Sequence, residues 1–143
     1  MSREIKFRGK SIDSRYSTEE YFLKMVYGQL INRYGDLYIL MADGIEVQVN
    51  EKTVGQYIGL QDKNSKRIYE GDIVIVSTYS YEEPLIVTTC VVEYDDEYCL
   101  YNFTEIGAKG VYSYSMIEIR NSFKYELEAI GNKYENPELE GEK

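Results

Sequence analysis

The chain has no histidine and no tryptophan, and only two cysteines among its 143 residues. Each absence closes off chemistry. Without histidine there is no commonest general base, no usual transition-metal ligand and no Ser–His or Cys–His nucleophilic pair. Two cysteines cannot complete a zinc site on their own, so neither a metal nor a cofactor is expected. No glycine-rich, phosphate-cradling loop occurs. No apolar run approaches the ~20 residues that span a bilayer. The opening Met1-Ser2-Arg3-Glu4-Ile5-Lys6-Phe7 has no apolar stretch behind its positive charges and is not a signal peptide. The expected location is the cytoplasm.

What the chain does have is tyrosine, 16 of them beside 4 Phe. Tyrosine suits half-buried strand surfaces, which leans the fold towards β. The length is that of one domain, enough to bury roughly two thirds of the unfolded surface. The charge is unevenly placed. Residues 1–80 carry 11 basic and 11 acidic side chains, and the whole net charge of −9 lies in residues 81–143. Arg3 to Arg15 is locally basic. With a pI of about 4.6, direct binding to nucleic acid is not expected.

Along the chain, Ile5-Lys6-Phe7-Arg8 alternates apolar and basic residues, as a half-exposed strand does. Ser17-Thr18-Glu19-Glu20 has capping-box spacing, and residues 18–26 suit either a short helix or a strand. Leu37–Met41, the Asp43-Gly44 turn and Ile45–Val49 read as a hairpin. A polar loop at 61–66, the turn Glu70-Gly71-Asp72 and the strand Ile73–Val76 follow. Leu85–Val92 is rich in β-branched residues and is placed centrally. Glu97–Phe103 pairs back onto it. Val111–Ile119 and Phe123–Ile130 alternate as further strands. The expected fold is mostly β, a folded sheet or barrel of short, largely antiparallel strands with at most one short helix near 18–26. Residues 1–131 form a single domain in this reading, and 132–143 a polar tail.

Cys90 and Cys99 flank the acidic turn Asp95-Asp96-Glu97. A two-residue turn at Asp95-Asp96 sets Cys90 opposite Tyr101 and Cys99 opposite Val92. The sulfurs then lie on diagonal neighbours, roughly 7–8 Å apart and near or beyond disulfide reach. Both are read as reduced, structural thiols.

Three segments carry a family resemblance: Lys6-Phe7-Arg8-Gly9-Lys10, Thr53-Val54-Gly55-Gln56-Tyr57-Ile58-Gly59-Leu60-Gln61-Asp62-Lys63-Asn64, and Ile68-Tyr69-Glu70-Gly71-Asp72-Ile73-Val74. With Ile130-Gly131-Asn132 and Glu135-Asn136-Pro137-Glu138-Leu139, they resemble the YopX family of phage and prophage proteins. Met25, Ile58 and Ser65 depart from its pattern, Ser65 standing where the family has Gly. The resemblance implies a β-rich fold and a bacterial host cell, and it brings no activity.

Within these segments Gln56, Tyr57, Asp62, Tyr69, Glu70 and Asp72 are the candidate binding residues. Asp62, Glu70 and Asp72 are oxygen donors suited to a hard cation or to acid/base work. The competing reading is that the aspartates shape turns. Gly55, Gly59 and Gly71 are read as backbone-shaping. No residue is assigned a catalytic role. Three functions stay open. The first is an accessory protein acting by protein–protein contact, as a homo-oligomer or on a host or phage factor, with the basic Ile5–Arg8 strand docking as an edge on the acidic half of a neighbour. The second is an acidic nucleic-acid mimic that inhibits a host DNA-binding protein. The third is a carboxylate-dependent enzyme or small-ligand binder using Asp62, Glu70 and Asp72.

Overall fold

Short alternating segments separated by Gly- and Asp-bearing turns produce antiparallel strands throughout the computed structural model, which describes residues 4–12, 24–79, 86–107, 113–120 and 125–140. The capping box at Ser17–Glu20 lies outside these. The strands form two antiparallel sheets and, among the described residues, no closed barrel. By its internal contacts the chain divides into two units, residues 1–59 and 60–143.

In the first unit, β1 (Phe7–Lys10), β2 (Met25–Arg33), β3 (Asp36–Leu40), β4 (Glu46–Gln48) and the start of β5 (Gly55–Gln61) lie in the order β4-β3-β2-β1-β5. Val26, Ile39, Val47 and Val49 form the buried centre, with Phe7, Leu30, Leu37, Met41 and Val54 packed around it. Gly28 is required there, because a Cβ at that position would run into the Leu40 carbonyl oxygen. Tyr34 and Gly35 turn β2 into β3, both at positive φ (54° and 94°), as the tight turn of a right-twisted hairpin demands. The Asp43-Gly44 turn forms as expected, with Met41 N–H donating to Ile45 O at 2.9 Å.

The choice between helix and strand left open over 18–26 falls to strand where the segment is described beyond Lys24, since Met25 and Val26 belong to β2. One expectation in this unit is corrected. The basic strand is no edge. β1 pairs with β2 on one side and β5 on the other, and Arg8 is 3% exposed. Period-two alternation marks a strand, and it carries no information about how many neighbours that strand has.

The second unit holds β6 (Arg67–Tyr69), β7 (Asp72–Thr78), β8 (Ile86–Asp95), β9 (Leu100–Glu105), β10 (Ser113–Ser115), a five-residue helix α1 (Met116–Arg120) and β11 (Tyr125–Asn132). The sheet order is β10-β9-β8-β7-β11, so β8 is central as expected. Val74, Val76, Cys90, Val92 and Phe103 are fully buried on one face. After β11, Asn132 Oδ1 accepts the Tyr134 and Glu135 N–H groups at 3.0 and 2.9 Å, which ties down the following turn.

Two further corrections fall here. The β8–β9 turn is four residues, Asp96 to Cys99, with Asp95 opposite Leu100 and Cys90 opposite Glu105. Asp95 dictates this length, since Oδ1 accepts both Glu97 N–H (2.9 Å) and Tyr98 N–H (3.2 Å), and Cys99 closes the turn at φ 55°. Met116–Ile119, expected as strand, is helical. Ser115 Oγ accepts the Glu118 N–H at 3.2 Å, a cap on the S-x-x-E spacing that Ser115-Met116-Ile117-Glu118 displays.

Candidate functional site

The residues singled out in the sequence fall in both units. Gln56 and Tyr57 are half-buried on β5. Gln56 stands opposite Phe7, and Tyr57 N–H donates to Lys6 O at 2.8 Å. The 3₁₀ turn Glu51–Thr53 precedes them and is pinned by Thr53, whose Oγ accepts Lys10 N–H (2.8 Å) and donates to Asn50 O (2.6 Å).

In the second unit the motif carboxylates are held by the contacts that follow. Asp62, 7% exposed, accepts Asn64 and Lys66 N–H on Oδ1 and Ala129 N–H on Oδ2, all at 2.9 Å. Burial alone would push its carboxyl up. The backbone donors of Ala129, Lys66 and Asn64, with the Lys66 charge, outweigh that and hold it below the usual carboxylate range. Asp72, 3% exposed, accepts Tyr69 N–H at 2.8 Å and closes the turn into β7. Glu70 lies 3.5 Å from the Tyr101 hydroxyl, whose ring meets Tyr94 edge-on at 5.3 Å. Gly59 and Gly71 take φ of 93° and 88°. Gly55 is buried opposite Arg8.

Among the described residues, no three His, Cys, Asp or Glu side chains gather as metal ligands would. Two hollows lie elsewhere in the second unit. One hollow of about 430 Å³ is lined by Glu93 to Glu97, Asn102 and Thr104. A second, of about 610 Å³, shares Glu93 and Thr104 with it and continues past Glu105, Lys133 and Glu140. Tyr94, which lines the smaller hollow, and Tyr98 in the β8–β9 turn are 46% and 70% exposed. Sequence reasoning noted the acids at 95–97. It missed Glu93, two residues before Asp95 and lining both hollows, and Glu105, which lies opposite Cys90 and lines the larger one. Cys90, buried in β8, has its thiol pushed up to about 12 by burial and by Glu105.

The model of the YopX protein family matches residues 6–139. The chain belongs to the YopX family. No curated protein matches it. Among solved structures, this YopX-family chain is similar to the crystal structure of protein EF1440 from Enterococcus faecalis, at 18% identity and a TM-score of 0.50, over 98% of this chain and 100% of that one. At that identity the likeness concerns the fold alone. The match takes in the Asp62 turn, the Asp72 turn and β11 alike. In this YopX-family chain no helix among the described residues is long and apolar enough to cross a membrane.

Proposed function

We propose that this YopX-family chain is a phage or prophage accessory protein that works in the bacterial cytoplasm by binding another protein. The partner is host- or phage-encoded, or a second copy of the chain. The observation that carries this reading is the end of the β8–β9 hairpin, where Glu93, Asp96 and Glu97 are exposed and are chain neighbours of exposed Tyr94 and Tyr98. Tyrosine is enriched in protein interfaces, and a concentrated acidic face selects a basic one and speeds encounter with it. The motif carboxylates support it from the other side. Asp62 and Asp72 accept backbone N–H groups of their own chain, as turn-shaping residues do.

The test is affinity capture from prophage-bearing cells with mass spectrometry, comparing the wild type with Asp96→Lys/Glu97→Lys. Asp95 is left alone because its carboxylate holds the turn. A specific protein retained by the wild type and lost by the folded variant is the expected result. Equal capture by both removes this face from the reading. If duplex DNA displaces the captured protein, the acidic face acts as a nucleic-acid mimic.

A further inference from the structure

Asp62 and Lys63 do for β11 what a neighbouring strand would do. Among the described residues β11 ends its sheet, with β7 on one side only. Its pairing with β7 turns the backbone groups of Leu127 and Ala129 outward, and such an edge recruits other strands. Here Lys63 N–H donates to Leu127 O at 2.9 Å, and Ala129 N–H donates to Asp62 Oδ2 at 2.9 Å. The carboxylate oxygen stands where a strand would place a carbonyl, and the Lys63 amide where it would place an N–H. Charge follows the same logic. Lys63 Nζ lies 3.1 Å from Glu128 and 3.9 Å from Glu126, the two acids of β11.

We propose that the outer edge of β11 is a docking site for an extended peptide strand of alternating apolar and basic residues, covered in cis by the Asp62–Lys63 turn, which the incoming strand displaces. Strand addition supplies main-chain hydrogen bonds for affinity and side-chain alternation for choice of partner. The two glutamates set that choice. A second β11 is a poor occupant, because an antiparallel pair centred on Leu127 sets Glu126 against Glu128, and like charges directly opposite destabilise. A basic strand repeats the contact Lys63 already makes. This site is separate from the β8–β9 face and stands independently of it.

The probe is a blocked, dye-labelled octapeptide of alternating valine and lysine, followed by fluorescence anisotropy. A proline–lysine octapeptide of the same charge, which cannot add as a strand, controls for general attraction to an acidic protein. Asp62→Ala is expected to bind the valine–lysine peptide at least ten-fold more tightly than wild type, and adding Ala129→Pro should cancel the gain. Equal affinity of folded Asp62→Ala and wild type overturns the proposal, as does equal binding of the two peptides. Should Asp62→Ala fail to fold, hydrogen exchange on the wild type with millimolar valine–lysine peptide decides. The Leu127 amide should slow at least ten-fold while the Lys63 amide quickens. Unchanged rates at both overturn it.

Discussion

Gly71 shows most directly how one residue constrains the family motif. Its φ of 88° is left-handed, and a Cβ there would come within 2.7 Å of the Tyr134 ring. Its N–H and C=O are both engaged, with Val92 O and Lys133 N–H. Gly71→Val therefore meets backbone strain and a clash together, a loss of about 3 kcal/mol. Asp62→Ala removes the acceptor of the Asn64, Lys66 and Ala129 N–H groups, at about 2 kcal/mol. Thermal unfolding should show the glycine variant melting lower, and the reverse order would remove the backbone argument. Two other residues sit where glycine or asparagine would be easier, Tyr34 (φ 54°) and Ser65 (φ 64°). Ser65→Gly and Tyr34→Asn should each raise the melting temperature. A fall in either would mean that the side chain supports the turn.

The β8–β9 hairpin shows what an element adds to its residues. Strand identity was legible from Val and Thr content, but register was not. Asp95 sets a four-residue turn through two local hydrogen bonds, and that moves every partner on β9. It leaves Cys90 buried in the sheet and Cys99 exposed in the turn. A thiol reagent at neutral pH should thus titrate one cysteine in the native protein, identified by peptide mapping as Cys99, and the second only after unfolding. Two fast-reacting thiols would contradict the register. β1 makes the same point about neighbours. Because it lies between β2 and β5 with Arg8 buried, Arg8→Glu should destabilise the fold by roughly 3–5 kcal/mol. Denaturant unfolding showing Arg8→Glu as stable as wild type would return β1 to the surface. The α1 helix was legible in principle, since Ser115 and Glu118 carry the cap spacing, but alternation in Val111–Ile119 pointed to a strand.

For the whole molecule, acid stability is set by carboxylates held in the fold. Asp62 has its carboxyl lowered by backbone donors. Its contribution is complete above the unfolded carboxyl range near pH 4 and is lost as pH falls through the lower folded value, because the unfolded chain takes up the proton first. Unfolding monitored from pH 6 down to pH 2 should show a steeper loss for wild type than for Asp62→Asn, and parallel curves would place the shift elsewhere. With no histidine anywhere in the chain, elemental analysis of the purified protein should find no stoichiometric zinc, iron or copper. A metal at one equivalent would contradict this.

The sequence by itself determined the β class, the Asp43-Gly44 turn, the central place of β8 and the family, because alternation, β-branching and turn chemistry act over a few residues. Only the tertiary structure decided that Arg8 is interior, that Glu105 lies opposite Cys90, and that Asp62 covers β11. Those facts depend on Arg8–Gly55, Cys90–Glu105 and Asp62–Ala129 contacts, and a pairing between distant segments leaves no local pattern from which it can be read.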